Sequence, residues 1–143
     1  MAQPFSSAEP TSVTDAESPT VLVVDDDRAV IDAITELLES EGYDVVAARD
    51  GLAALRRLRN GLRPRVILLD LMMPGMDGWD FRQQQLGDAN LKDIPVVVIT
   101  AAGFSESSIR TQFGNIELVS KPPPTRELLA AVERCCGDDD PKQ

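Results

Sequence analysis

The sequence predicts an α/β fold in which a doubly wound parallel sheet of five strands is covered by helices on both faces. Two observations lead to this fold. Segments of strand type and helix type alternate five times along the chain, as in parallel strands joined by right-handed crossovers. The strand segments are continuous apolar runs such as Val96–Ile99, and runs of this kind fit strands that are buried on both faces.

Length and composition predict one soluble domain with an aliphatic core, because 43% of the 143 residues are apolar and only 4% are aromatic. The net charge is −10, whereas phosphate contacts need clustered Lys and Arg, so no direct nucleic-acid partner is expected. No apolar run reaches the roughly 18–20 residues of a membrane span, and the N-terminus lacks a signal-peptide pattern. We therefore expect a cytoplasmic protein without a membrane partner, whose adjacent cysteines, Cys135 and Cys136, are reduced.

The chain divides into three parts. Residues 1–20 are rich in Pro, Ser, Thr, Ala and Glu without periodicity, which predicts a disordered N-terminal leader. Residues 21–136 form the predicted domain, and residues 137–143 form an acidic C-terminal tail.

The first half of the domain predicts strands at 21–24, 44–48 and 66–69 and helices at 28–40 and 51–59. Asp50 is the expected N-cap of the second helix, and Gly42 is the expected C-cap of the first. Asp27 is a candidate N-cap of the first helix, with a functional role left equally open.

The second half predicts a helix from Asp80 to about Leu86, a strand at 96–99, and a short helix capped by Ser105. A strand at 116–119 follows. The last helix begins near Thr125 and buries apolar residues spaced three and four apart.

Four of the strand-type runs carry a polar residue at or just past the C-terminal end. Parallel strands end at the same edge of a sheet, where open α/β sheets bind their ligands, so these side chains should converge on one site. A single Asp after a strand would be better explained as a turn residue or helix cap. The four positions are Asp25 with Asp26 and Asp27, Asp70, Thr100, and Lys121.

This set of residues suggests a cation and phosphoryl chemistry. If Asp25, Asp26 and Asp70 lie close together, their charges repel one another and need a cation. Carboxylates without His or Cys favour Mg²⁺, Mn²⁺ or Ca²⁺, and among these Mg²⁺ suits a half-open site in which the ion keeps some of its waters. Lys121 and Thr100 supply a charge and a hydroxyl suited to a phosphoryl group. Asp70 is the candidate nucleophile, because the other two are better used as metal ligands.

These residues, together with the Met-Pro-Gly-Met-Asp-Gly run at 73–78, Ala101 and Pro122, resemble the signature of response-regulator receiver domains of two-component signalling. The resemblance spans Val21 to about Cys136. It implies the flavodoxin-like strand order 2-1-3-4-5. It also implies a cytoplasmic signalling protein of the single-receiver type, not an enzyme acting on an external substrate.

The resemblance also implies roles for individual residues. Asp70 would be the phosphoacceptor that takes a phosphoryl group from a sensor histidine kinase or phosphotransfer protein. Mg²⁺ would be held by Asp25, Asp26, Asp70 and the backbone carbonyl of Met72. Thr100 would be the switch hydroxyl and Lys121 the cation that pairs with the phosphoryl group, with a cis Lys121–Pro122 bond. The protein would be a monomer or weak homodimer that signals to a downstream protein.

Two positions depart from the family pattern. Leu118 stands where the family usually has Tyr or Phe, and Pro123 stands where it usually has Phe. We therefore expect phosphorylation to change the surface around the fourth helix and fifth strand less than is usual in the family, unless Phe104 or Phe113 replaces the missing ring. The main alternative is a receiver fold that binds partners without phosphorylation. A phosphatase of the haloacid dehalogenase type is disfavoured, because Met72 occupies the position of its second acid.

Overall fold

The structure is a computed structural model that describes residues 19–73, 75–100, 105–114, 116–121 and 123–137. The predicted acidic tail beyond Gly137 and the predicted leader up to residue 18 lie outside the described residues. No helix within the described ranges has the length and apolar character that crossing a membrane would require.

Five parallel strands form one sheet in the order β2-β1-β3-β4-β5, which confirms the predicted fold class and strand order. The strands are β1 (Thr20–Val24), β2 (Asp44–Ala48), β3 (Val66–Asp70), β4 (Val96–Thr100) and β5 (Glu117–Ser120). The helices are α1 (Arg28–Ser40), α2 (Gly51–Arg59), α3 (Gly78–Leu86), α4 (Glu106–Phe113) and α5 (Thr125–Gly137).

Alternation along each strand divides the core into two apolar layers. On one face, Leu22, Ile67 and Val98 pack with residues of α2, α3 and α4. On the other face, Val23 and Leu68 pack with residues of α1 and α5. Since β1 leads to β2 on one side and β3 lies on its other side, the crossover direction reverses between β1 and β3, and this switch point lies at the predicted site.

The predicted caps of three helices are confirmed. The side chains of Asp27, Asp50 and Ser105 accept hydrogen bonds from backbone N–H groups in the first turns of α1, α2 and α4. Gly42 lies one residue past the α1 C-cap with φ 95°, and its N–H donates to the carbonyl of Glu39. The left-handed conformation required there explains the glycine.

Some boundaries differ from the prediction. Helix α3 begins at Gly78, two residues before the predicted start, because the side chain of Asp77 accepts from the N–H of Asp80 and caps it. Strands β3 and β4 extend through Asp70 and Thr100, since pairing with the neighbouring strands continues at these polar residues. Strand β1 begins at Thr20, which pairs with β2.

Candidate functional site

Two buried carboxylates lie at the switch point. Asp25 follows β1 directly, and its N–H donates to the carbonyl of Ala48 at the end of β2. Asp70 is the last residue of β3, the strand on the other side of β1. Their exposed fractions are 2% and 4%. Buried charges are costly unless they are paired or bind a metal, so this pair requires compensation.

Asp26 completes an acidic cluster with Asp25 and Asp70. One carboxylate oxygen from each residue lies within 4.8 Å of the others, and Asp26 is half-buried. Oxygen donors of this kind, with no His or Cys among them, are those that Mg²⁺ prefers. The donor set therefore fits the predicted divalent cation.

Lys121 supplies a positive charge beside the two buried carboxylates. Its Nζ lies 3.1 Å from Oδ2 of Asp25 and 3.3 Å from Oδ2 of Asp70. Its N–H donates to the carbonyl of Thr100 at 2.9 Å, which holds the start of the loop after β5 against the end of β4. The lysine thus bridges the two most buried carboxylates.

The surroundings shift the proton affinity of Asp70. Burial and the charge of Asp25 raise the pKa of Asp70, against the opposing effects of Lys121 and the backbone N–H of Met72. Burial tends to lower the pKa of Lys121, but its hydrogen bond to Asp25 and the two carboxylate charges outweigh burial and raise it. The lysine is therefore held firmly in its charged form.

Backbone N–H groups orient both buried carboxylates. Oδ1 of Asp25 accepts from the N–H of Asp27 at 2.8 Å, and Oδ1 of Asp70 accepts from the N–H of Met72 at 3.3 Å. The exposed side chain of Asp27 itself caps α1 at 2.9 Å from the N–H of Ala29. Asp27 therefore has an observed structural role.

Gly78 places the start of α3 directly behind Asp70. Its N–H donates to the carbonyl of Leu71 at 3.0 Å. A Cβ at this position would lie 2.5 Å from the carbonyl oxygen of Asp70 and 2.8 Å from the Cα of Leu71. Only a glycine permits this approach, a role that the sequence interpretation did not assign to it.

Thr100 and Met72 flank the acidic cluster. Thr100 ends β4 one residue past Ile99, the register partner of Asp70, and is half-buried. Met72 lies two residues past Asp70 with a 60% exposed fraction. The metal-ligand role of its carbonyl stays a prediction, and the predicted cis Lys121–Pro122 bond involves a residue outside the described ranges.

The two positions that depart from the family pattern lie on different faces: Pro123 lies beside α1 and α5, with Val30 and Leu128, and Leu118 lies in the layer that contains α4. Leu118 is half-buried and packs against the core layer that contains Phe113. Phe113 is 1% exposed, and its ring meets that of Trp79 edge to face at a centroid distance of 5.0 Å. The core layer against which Leu118 packs thus contains a buried aromatic ring, whereas Phe104 lies outside the described residues.

The sequence interpretation also missed two buried polar residues on α3. Arg82 is 7% exposed and Gln85 is 0% exposed. Together with Gly78 and Phe81 they occupy steps of three and four residues, the spacing of a buried helix face. Only Phe81 among these four has a large apolar side chain, so the sequence of α3 carries no clear signal for the burial of Arg82 and Gln85.

Comparison with known proteins agrees with this geometry. The model of the response regulator receiver domain family matches residues 21–133. The chain is 38% identical over 115 residues to the DNA-binding dual master transcriptional regulator RpaA of Synechocystis, covering 80% of this chain and 47% of that protein. It is 35% identical over 126 residues to the DNA-binding response regulator MtrA of Mycobacterium tuberculosis, covering 86% of this chain and 54% of that one. The chain thus spans about half the length of these curated relatives.

Solved structures of receiver domains have the same fold. The receiver domain of the Francisella response regulator 1452 matches with a TM-score of 0.75 and 31% identity, covering 86% of this chain and 100% of that one. The Vibrio cholerae chemotaxis protein CheY4 matches with a TM-score of 0.75 and 27% identity, covering 82% and 98%. With an acidic cluster and a lysine at the switch point of a five-stranded parallel sheet, the chain belongs to the response regulator receiver domain family of two-component systems.

Proposed function

We propose that this chain accepts a phosphoryl group on Asp70 from the phosphohistidine of a sensor histidine kinase or phosphotransfer protein, in a reaction that depends on Mg²⁺. The observation that carries this proposal is the position of Asp70. It is a buried carboxylate at the switch point, next to two further carboxylates and a lysine that contacts it at 3.3 Å.

The proposed transfer is a substitution at phosphorus. A carboxylate oxygen of Asp70 forms a bond to phosphorus as the bond from phosphorus to the histidine nitrogen breaks, and the departing imidazole keeps the electron pair. The hydrogen bond from Met72 to Oδ1 and the contact of Lys121 with Oδ2 hold the carboxylate in one orientation. Such orientation lowers the entropic part of the barrier.

Charge is the second requirement, because the transferred group adds negative charge to an already acidic site. Bound Mg²⁺ would neutralise charge on the phosphoryl oxygens, with Asp25, Asp26 and Asp70 as the residues that would hold it. Lys121 is already within contact distance of Asp70 and would pair with the phosphoryl group. Thr100, at the end of the neighbouring strand, would donate its hydroxyl.

We also propose that the output is a protein contact. The relatives RpaA and MtrA are DNA-binding proteins by name, but this chain matches only about half of each. Two basic residues at and just after the end of α2 are engaged within the domain: Arg59, the last residue of α2, pairs with Asp88 at 3.6 Å, and Arg63 donates to the carbonyl of Leu58 at 2.8 Å. A monomer or weak homodimer remains the proposed assembly state.

Incubation with acetyl phosphate, followed by intact-mass spectrometry, tests the acceptor. We expect one added phosphoryl group in the wild type with Mg²⁺, and none in Asp70→Asn or when Mg²⁺ is chelated. Asp32→Asn, which removes an exposed carboxylate of α1, is the matched control and should behave as the wild type. Uptake by Asp70→Asn at the wild-type rate would refute the assignment.

A magnesium titration followed by Trp79 emission separates this proposal from a receiver fold that binds partners without phosphorylation. Saturable binding that weakens in Asp26→Asn supports the proposal. If the wild type neither binds Mg²⁺ nor gains a phosphoryl group, the binding-module alternative is favoured.

A further inference from the structure

A buried polar pair on α3 lies outside the acidic cluster and has no part in the proposed phosphoryl transfer. Arg82 is 7% exposed and Gln85 is 0% exposed, and Nη1 of the arginine donates to Oε1 of the glutamine at 2.8 Å. Among the described residues, no carboxylate pairs with Arg82. A buried guanidinium without a carboxylate is costly and is retained only where its hydrogen bonds are well used.

Two further nitrogens of Arg82 donate to the end of α4. Nε lies 3.0 Å and Nη2 lies 2.7 Å from the carbonyl oxygen of Phe113. Phe113 is the last residue of α4, where carbonyls lack helical partners and the helix dipole favours a cation. Because two donors of one guanidinium reach the same carbonyl oxygen, they fix its position and also supply the hydrogen bonds that it lacks within the helix.

Gln85 holds the segment before β4 in the same way. Its Nε2 donates to the carbonyl of Leu91 at 2.9 Å and to the carbonyl of Ile94 at 3.0 Å. Ile94 lies two residues before the start of β4 at Val96. The amide of Gln85 is therefore fully engaged between Arg82 and this segment.

The two contacts fix both ends of one continuous segment. This segment runs from Ile94 through β4 and α4 to Phe113, and Thr100 lies inside it. One helix, α3, holds both ends, and the same helix begins directly behind Asp70 at Gly78. Thr100 therefore lies between two points of the chain that hydrogen bonds from α3 hold.

We propose that Arg82 and Gln85 are positioning residues that fix the C-terminal end of α4, so that phosphorylation moves the first turn of α4 while its last turn stays in place. This inference rests on the proposed phosphorylation of Asp70. Trp79 reinforces the fixed end, because its ring meets the ring of Phe113 at 5.0 Å. Among the described residues, no side chain of α3 is seen to hydrogen-bond the N-terminal turn: Ser105 hydrogen-bonds to Ser107 and Ser108 within α4 itself.

The test compares backbone amide chemical shifts with and without Mg²⁺ and beryllofluoride, which stands in for the phosphoryl group. In the wild type, we expect changes in residues 105–108 at least threefold larger than in residues 110–114. In Arg82→Met, which keeps an unbranched apolar stem but loses the donors, the changes in residues 110–114 should rise at least twofold. Arg134→Met is the matched control: it removes an exposed arginine paired with Glu117 and should keep the wild-type pattern.

A purely structural role for Arg82 would lower stability without altering the pattern of ligand-induced changes, and that result would overturn the inference. Equal changes in the two turns of wild-type α4 would overturn it as well, even if Arg82→Met does not fold. Arg82→Lys keeps a donor for the Phe113 carbonyl and should restore part of the wild-type pattern. Absence of any shift around Asp70 would instead contradict the proposed function, so the two failures are distinguishable.

Discussion

Neutralising Asp26 should stabilise the metal-free protein while weakening its response to magnesium. Its carboxylate makes no hydrogen bond or ion pair with another described residue, yet one of its oxygens lies within 4.8 Å of oxygens from both Asp25 and Asp70. Asp26→Asn therefore removes repulsion without removing an attractive contact. Asp25 and Asp70 are less informative targets, because each also pairs with Lys121.

The magnitude follows from Coulomb's law. Two unit charges 4.8 Å apart repel by about 3.5 kcal/mol at an effective dielectric constant near 20, so the pairs that Asp26 makes with Asp25 and Asp70 give roughly 7 kcal/mol before screening. Asp26 is half-buried, and water and salt reduce this value substantially. We expect a gain of about 2 kcal/mol in the free energy of unfolding without metal, or roughly 6 °C in melting temperature for a domain of this size.

Magnesium should reverse the order of stability. A ligand that binds only the folded state adds about 2.7 kcal/mol at one hundred times its dissociation constant. Wild type should gain this amount, whereas Asp26→Asn should gain much less at the same concentration because a ligand is lost.

Thermal unfolding in EDTA and in a magnesium series, with Asp32→Asn as control, measures both effects. A metal-free melting temperature of Asp26→Asn at or below that of the wild type would refute the electrostatic argument. An unchanged wild-type melting temperature in saturating magnesium would refute the metal site.

Three further outcomes are expected. Met72→Asn should accelerate loss of the phosphoryl group in a phosphate-release assay, since the wild-type side chain offers no polar group to orient an attacking water. An unchanged rate would show that the polarity of residue 72 does not limit this hydrolysis. Gly78→Ala should lower the free energy of unfolding in urea by about 1–3 kcal/mol, because the added Cβ would collide with the backbone of Asp70. Stability equal to that of the wild type would show that α3 can shift away from Asp70 without cost. The hydrogen bond from Arg134 lowers the pKa of Glu117, so this pair stabilises the fold above about pH 4.5 and stabilises it less as the pH falls through the lowered pKa. Arg134→Met should therefore be less stable than the wild type at pH 7 but approach it near pH 3. An equal difference in stability at both pH values would contradict this.

Much of the fold was determined by local patterns in the sequence. Apolar runs of four or five residues, helix caps such as Asp50, and turn residues such as Gly42 act over a few neighbouring residues, so they can be recognised without knowing the tertiary structure. The convergence of Asp25, Asp26, Asp70 and Lys121 was also predictable, because parallel strands end at the same edge of a sheet. The structure places these side chains together as expected.

Tertiary structure alone decided how residues distant in sequence share charge and space. Lys121 bridges Asp25 and Asp70, and Asp26 is left without such a partner, because the loop after β5 is held at the end of β4. Arg82 is buried because the carbonyl of Phe113, 31 residues along the chain, lies where α4 ends against α3. Contacts of this kind depend on how whole elements pack, and the residue types at the two positions do not by themselves reveal which pairs will meet.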